Sequence, residues 1–167
     1  MSYTPEEKIF NRIEEQLSDN GIAIESKEMG RPWGGYFVID ENSAVEFIQK
    51  YFPGNAVSLI NNRTKNISPK ILLVAPGARL SWQYHHRRSE FWQVAEGPVS
   101  IITSENNAEG EQKTLKKGDS VKLDVGLRHR LIGLESWGVV AEIWIHEFTD
   151  NPSDENDIVR ITDDYGR

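Results

Sequence analysis

The chain contains no cysteine among its 167 residues. Disulfide bonds, thiol nucleophiles and cysteine-ligated zinc are therefore excluded. It also lacks any apolar run approaching the ~18 residues that a membrane-spanning helix requires. Positive charge is scarce, because 19 lysine and arginine residues face 26 acidic residues and leave a net charge of -7. This acidity argues against nucleic acid and against anionic membrane surfaces as partners.

The N-terminal residues 1–7 include neither a basic residue nor an apolar stretch. We therefore expect no signal peptide and a cytoplasmic location. The length of the chain predicts one domain that buries a core without disulfide bonds or a structural metal.

Two helices are predicted in the N-terminal third. The segment from Thr4 to Glu7 has the residues of a capping box, and Gly21 follows the helix as a C-terminal cap. A second capping box, Ser43 to Glu46, predicts a short helix that ends at Pro53. The first helix carries one apolar stripe, formed by Ile9, Phe10, Ile13 and Leu17.

The pattern changes to short strands from Lys70 onward. Six apolar segments are separated by residues typical of turns, and their spacing predicts an antiparallel sandwich or barrel. The segments are Ile71–Val74, Glu90–Ala95, Val99–Thr103, Thr114–Leu115, Val121–Val125 and Val139–Ile145. The acidic segment 150–157 is interpreted as a solvated loop.

Three stretches of the sequence predict one metal site. Gln83, His85 and Glu90 lie within eight residues of one another, a Gly-Asp turn follows at 118–119, and His129 comes later. Two imidazoles and two oxygen donors are a ligand set that suits a divalent first-row metal. If Gln83 and His85 lie on one strand, their side chains share a face, because side-chain direction alternates.

Four motifs resemble the cupin domain of type II phosphomannose isomerases. Residues 31–36 are similar to the family's R-P-W-G-x-Y motif, and residues 76–92 to its P-G-x-x-L-S-x-Q-x-H-H-x-R-x-E-x-W signature. Residues 126–131 match G-x-x-H-R-L, and residues 157–167 resemble its D-I-V-R-x-x-D-x-Y-G-R ending. The combination is specific, whereas the Gly-Asp pair or the R-P-W-G motif alone would be weak.

The resemblance implies an all-β fold, a cupin of the antiparallel β-barrel or jelly-roll type, with one or two peripheral N-terminal helices. Residues 1–167 would form a single cupin domain. Within it we expect an N-terminal helical and opening-strand extension over 1–69, a cupin core over 70–149, and a C-terminal tail over 150–167 that packs on the core. No nucleotidyltransferase domain, which usually precedes this cupin, is present in the sequence.

The family's metal ligands are a glutamine, a histidine, a glutamate and a second histidine, which Gln83, His85, Glu90 and His129 match. The resemblance thus implies one divalent metal, with zinc as the first choice and manganese, iron, cobalt or nickel as alternatives. It implies isomerisation of mannose 6-phosphate to fructose 6-phosphate, in the context of polysaccharide biosynthesis. The alternative is a non-isomerising metal-binding cupin that binds or modifies another sugar, or a regulatory sugar-binding module. Three departures from the family pattern favour that alternative: Arg87, Phe91 and Asp124.

Four further residues are candidates for contacts with a sugar phosphate. Arg88 and Arg130 flank the predicted ligands and could donate to a phosphate. His86 and Glu147 are candidates for the catalytic base, although alternation along a strand would turn His86 away from His85. A homodimer is also predicted, with the apolar stripe of the first helix as the surface that crosses to a second subunit.

Overall fold

The structure, a computed structural model, describes residues 2–63 and 67–167. Its helices are α1 (Pro5–Asp19), α2 (Ala44–Tyr51) and α3 (Ala56–Arg63). The strands run from β1 (Ile24–Arg31) and β2 (Gly34–Ile39) through β3 (Ile67–Val74), β4 (Trp82–Tyr84), β5 (Arg88–Glu96), β6 (Val99–Ser104), β7 (Gln112–Leu115), β8 (Ser120–Leu123), β9 (Arg128–Gly133), β10 (Gly138–His146) and β11 (Val159–Thr162). No helix in these described ranges is both long and apolar enough to cross a bilayer.

The strands form two antiparallel sheets. One has six strands in the order β1-β2-β3-β10-β5-β8, and the other has five in the order β11-β4-β9-β6-β7. Apolar side chains from both sheets fill the space between them, among them Leu72, Trp92 and Val140 from the first sheet and Ile101 and Leu131 from the second. The predicted all-β architecture is confirmed.

The outer face of the six-stranded sheet is covered by α1 and α2. Ile71 and Leu73 of β3 pack with the helices, whereas Leu72 and Val74 of the same strand face the space between the sheets. This alternation follows from the two-residue period of a strand. It places Lys70 and Glu142, which are partners in the β3–β10 register, on the inner side.

Helix α1 begins with the predicted capping box. The Thr4 hydroxyl accepts from the Glu7 backbone N–H at 3.1 Å, and the Glu7 carboxylate accepts from the Thr4 N–H at 2.8 Å. The apolar stripe of α1 is buried against this chain's own sheet. The stripe is therefore not free to cross to a second subunit. The homodimer stays a prediction, without that support.

The second predicted capping box is wrong, although the helix itself is present. The Ser43 side chain makes no hydrogen bond to the first turn of α2. Its hydroxyl instead accepts from the backbone N–H of Ala23 at 2.9 Å, which joins the start of α2 to the segment before β1. Helix α3 and the strands β1, β2, β4, β9 and β11 were not among the segments identified from apolar runs.

Candidate metal centre

Three buried side chains from three parts of the barrel meet between the sheets. His85 follows β4, Glu90 lies in β5 and His129 in β9, and their exposed fractions are 3%, 2% and 1%. One potential ligand atom from each lies within 4.8 Å of the others. Glu90 Oε1 is 2.8 Å from His85 Nε2 and 3.4 Å from His129 Nε2.

Backbone carbonyl groups fix the orientation of both imidazoles. His85 Nδ1 is 2.7 Å from the Asp157 carbonyl oxygen, and His129 Nδ1 is 2.9 Å from that of Leu127. A carbonyl oxygen only accepts, so each Nδ1 carries a proton and each ring turns Nε2, the nitrogen left to bind a metal, toward the cluster. Metal-binding histidines in proteins are commonly held in this way.

The donor set fits a divalent cation. When His85 is neutral, as a metal ligand must be, its Nε2 and Glu90 Oε1 offer two lone pairs 2.8 Å apart. His129 Nε2 is buried and has no hydrogen-bond partner among the described residues. Donors bound to one ion at 2.0–2.2 Å lie roughly 3 to 3.5 Å apart, close to the separations of this cluster. These three residues could thus hold a metal.

Electrostatics keep Glu90 ionised. Burial by itself acts to raise the pKa of Glu90, but the positive charges that a protonated His85 and Arg88 bring beside the carboxylate outweigh it. The pKa of Glu90 is therefore held well below its ordinary value. An ionised carboxylate is the form that binds a cation.

Gln83 lies beside the cluster. It is the cross-strand partner of His129 in the pairing of β4 with β9, so the two side chains share a face. Gln83 is 9% exposed, and its amide oxygen accepts from the Ser81 hydroxyl at 3.2 Å. Its amide lines the same cavity as Glu90.

This cavity, of about 130 Å³, opens next to the cluster. Its cationic lining residues are Arg31, Lys70, Arg88, Arg160 and Arg167, and its carboxyl groups are Glu90, Glu142 and Glu155. Five cations around one cavity are a marked concentration in a chain whose net charge is -7. The lining favours an anionic ligand.

Arg88 is buried at the cavity wall. Its guanidinium stacks on the Trp144 ring at 3.6 Å from the centroid and donates to the Ser153 hydroxyl at 3.0 Å. It also lies 3.3 Å from His85 Nε2 and 3.6 Å from Glu90 Oε1. The predicted substrate-binding residue therefore also supports the cluster.

Glu142 is the second buried carboxyl group of the cavity. Its two oxygens accept from the indole N–H groups of Trp92 and Trp144, at 2.9 and 2.8 Å. Burial, and then the charge and hydrogen bond of Glu90, raise the pKa of Glu142 well above its ordinary value, against the opposing charges of Lys70 and Arg88. Glu142 was not identified from the sequence. An acidic residue in the middle of an otherwise apolar strand was the available signal.

The structure does not bring the other three candidates to this cavity. Arg130 is 1% exposed, donates to the Leu80 carbonyl and pairs with Glu109 at 3.0 Å. His86 is exposed and stacks edge-on with Tyr84, while the Glu147 carboxylate accepts from the Ser89 hydroxyl at 2.6 Å. Among the described residues, His86 and Glu147 line a separate surface depression.

The acidic segment 150–157 is more than the solvated loop predicted for it. Asp157 is only 4% exposed. Its carboxylate accepts from the backbone N–H groups of His86 and Arg87 at 2.9 and 3.0 Å and from the Ser153 hydroxyl at 2.6 Å. With its carbonyl on His85, Asp157 ties the C-terminal segment to the loop that carries a candidate ligand.

Comparison with solved structures shows the fold. Oxalate decarboxylase from Bacillus subtilis superposes with a TM-score of 0.57 at 14% identity, covering 83% of this chain and 31% of that one. KdgF from Halomonas sp. superposes with a TM-score of 0.51 at 14% identity, covering 75% of this chain and 92% of that one. Fold and site together define a cupin with a candidate metal cluster in its barrel.

Comparison of sequences gives the family. A model described as mannose-6-phosphate isomerase C-terminal matches residues 46–163, and the chain belongs to that family. A mannose-1-phosphate guanylyltransferase of Salmonella montevideo is 30% identical over 160 residues, covering 96% of this chain and 27% of that protein. Alginate biosynthesis protein AlgA of Pseudomonas aeruginosa is 28% identical over 140 residues, covering 84% and 23%. The chain spans about a quarter of the length of these relatives.

Proposed function

We propose that this chain is a metal-dependent isomerase that interconverts mannose 6-phosphate and fructose 6-phosphate. The observation that carries the proposal is the buried cluster of His85, Glu90 and His129 beside a cavity rich in cations. Glu90 belongs to both, so a ligand in the cavity would lie against the cluster.

Gln83, His85, Glu90 and His129 would hold one divalent ion, with zinc as the first choice and manganese, iron, cobalt or nickel as alternatives. Such an ion, when bound, supplies Lewis-acid stabilisation of the negative charge that develops on the sugar oxygens. Arg88 keeps His85 and Glu90 in place, and Asp157 keeps the His85 ring oriented through its carbonyl.

Isomerisation also requires a group that moves a proton between C1 and C2 of the open-chain sugar. Glu142 is the buried carboxyl group that lines the cavity and lies outside the three-residue cluster. Two indole N–H groups fix its carboxyl plane, and a carboxylate with two such bonds retains lone pairs for a carbon-bound proton. We assign proton transfer to Glu142 rather than to His86 or Glu147.

The comparisons support the choice of substrate. The matching family model is described as mannose-6-phosphate isomerase C-terminal, and the names of the relatives refer to mannose 1-phosphate, xanthan and alginate. We do not extend guanylyl transfer to this chain, because the matched part of each relative is about a quarter of its length.

A non-isomerising cupin is the second candidate, either a sugar-binding regulatory module or an enzyme for another sugar. It is favoured by one observation. His86 and Glu147, the candidates for the base that were chosen from the sequence, line a depression other than the cation-rich cavity. A cavity that holds a metal and is lined by cationic side chains, but lacks an effective base, would bind a sugar phosphate and leave it unchanged.

A coupled assay for fructose 6-phosphate on the purified chain tests the proposal. Protein stripped with a chelator should lack turnover of mannose 6-phosphate and regain it with zinc, manganese, iron, cobalt or nickel. His86→Ala protein, altered at an exposed histidine next to the cluster, serves as the matched control and should keep activity. Metal binding without turnover under every metal would assign the chain to the second candidate.

A further inference from the structure

Lys70 is an ammonium group buried in the cavity wall with one exchangeable partner. Its side chain is 7% exposed, and its Nζ lies 3.9 Å from the Trp144 ring centroid and 5.0 Å from that of Tyr36. The Glu155 carboxylate accepts from Nζ at 2.7 Å. A buried ammonium requires an anion, because removal of its charge from water is costly.

Glu155, unlike Lys70, is exposed and can move away from the ion pair into solvent. Its side chain is 70% exposed and lies in the segment between β10 and β11. In the described part of the chain, Lys70 is the one ion-pair partner of Glu155. The carboxylate can return to water with little loss, since exposed carboxylates are well solvated, whereas the ammonium stays in place. Another anion can therefore replace Glu155 on Lys70.

Arg160 supplies a second positive charge to the same cavity. It is exposed, and among residues 2–63 and 67–167 its guanidinium forms no hydrogen bond or ion pair. Arg31 and Arg167, in contrast, pair with Glu28 and Asp163. Acidic side chains outnumber basic ones by 26 to 19, so an unpaired guanidinium at a cavity is consistent with an anion site.

The position of Arg160 connects this charge to the candidate metal centre. Arg160 is the cross-strand partner of Gln83 in the pairing of β11 with β4, and Gln83 is in turn the partner of His129. Side chains of direct partners share a face of the sheet. Arg160, Gln83 and His129 thus form a row across three strands, from the mouth of the cavity to the cluster.

We propose that Lys70 and Arg160 form an oxyanion subsite for the phosphate of the ligand, and that Glu155 is a built-in competitor for Lys70. The identity of the sugar rests on the proposed function, whereas the subsite itself does not. The phosphate displaces Glu155, takes the ammonium and reaches Arg160, with the sugar oxygens directed toward Gln83 and the cluster. The sequence-predicted pair is placed differently: Arg130 does not line the cavity and donates to the Leu80 carbonyl and to Glu109, while Arg88 donates to Ser153 and lies against the metal cluster.

Calorimetric titration of the zinc-loaded full chain with inorganic phosphate tests the subsite, after excess zinc is removed. Glu155→Gln keeps the shape of an exposed side chain and removes the competing charge, so phosphate should bind about three- to tenfold more tightly. Arg160→Gln should weaken it on the order of tenfold. Glu14→Gln is the control, since it removes the exposed ion pair between Glu14 of α1 and Lys27 of β1 with the same change in net charge and should leave affinity unchanged.

Each outcome decides a part of the proposal. Unchanged phosphate affinity in Glu155→Gln, or a gain matched by Glu14→Gln, overturns the competitor role, and unchanged affinity in Arg160→Gln removes that residue from the subsite. Acetate that binds as tightly as phosphate, with the same responses, would overturn the phosphate assignment in favour of a carboxylate. Isomerase activity without these effects would leave the proposed function standing and reject the subsite. Changes in phosphate affinity as expected, but without isomerase turnover, would support the subsite and reject the proposed function.

Discussion

At the scale of single residues, the candidate metal centre depends on how two imidazole rings are held. His85 and His86 are neighbours in the chain, yet one is buried with its Nδ1 on a carbonyl and the other is exposed against Tyr84. The difference arises because His85 turns inward just after β4, while the next residue turns outward. A residue type and a spacing therefore predict a ligand only when the chain also supplies the groups that orient the ring.

The two classes of histidine should separate in metal binding. His129→Ala removes a buried donor, and we expect metal affinity to fall by more than about 100-fold, since loss of an outer-shell partner alone costs about 10- to 100-fold. His86→Ala should leave affinity unchanged. Titration with a competing chelator, with metal content per chain measured by mass spectrometry, gives both values. Stoichiometric metal in a His85→Ala/His129→Ala protein would contradict the assignment.

The proton-transfer role of Glu142 gives a second residue-scale prediction. In Glu142→Gln the amide NH₂ group cannot accept, so it leaves one indole N–H without its acceptor and removes the proton-carrying oxygen. We expect kcat to fall by about 10²- to 10⁴-fold while metal content is retained. Glu147→Gln is the matched control and should stay near the wild-type rate. A large loss in Glu147→Gln with a small one in Glu142→Gln would restore the sequence-based candidate.

At the scale of elements, the C-terminal segment holds the loop that carries His85 in place through Asp157. Burial acts to raise the pKa of Asp157, but hydrogen bonds from Ser153 and from two backbone N–H groups, with the charge of Arg87, lower it below its ordinary value. A carboxyl group whose pKa is lowered in the folded state stabilises that state at pH values above its ordinary pKa. That contribution is lost as the pH falls through the lowered value.

Asp157→Asn should therefore destabilise the fold in a pH-dependent way. The asparagine NH₂ group cannot accept from the N–H donors, so we expect a loss of about 1 to 3 kcal/mol near about pH 7. The difference from wild type should shrink as the pH falls below the ordinary aspartate pKa of about 3.9 and the wild-type carboxylate becomes protonated. Urea unfolding at several pH values measures it, with exposed Asp150→Asn as control. A destabilisation equal at every pH would exclude the charge of Asp157 as its origin.

The sequence identified elements and residues whose signals are local. The capping box of α1 and the strands bounded by turn residues were found because each signal lies within about ten residues. The contacts of Lys70 with Trp144 and of Glu142 with Trp92 depend on the register of β3, β10 and β5, which no local pattern fixes. Arg130 was placed among the cavity residues because it adjoins His129, but alternation directs it to the opposite face.

At the scale of the whole molecule, the N-terminal extension and the barrel share one core. The six-stranded sheet continues across the predicted boundary at 69/70, since β2 pairs with β3 and β3 with β10. One apolar cluster joins α1 and α2 to the outer faces of these strands. The face of β10 opposite this cluster carries Glu142 and Trp144, so packing of the helices supports the strand that holds cavity residues.

A core substitution in α1 should therefore weaken the metal site as well as the helix. Phe10 is fully buried, with its ring centroid 5.2 Å from that of Phe37 in β2. We expect Phe10→Ala to cost about 3 to 5 kcal/mol in the free energy of unfolding. Denaturant unfolding should be followed by circular dichroism for the helices, by tryptophan fluorescence and by release of metal. The midpoints of all three transitions should shift together to lower denaturant concentration, because a single shared core unfolds in one transition. Tyr3→Ala, altered at a side chain that is 63% exposed, should shift none of them. An early helix transition that leaves fluorescence and metal release at their wild-type midpoints would show instead that the extension and the barrel are separate cooperative units.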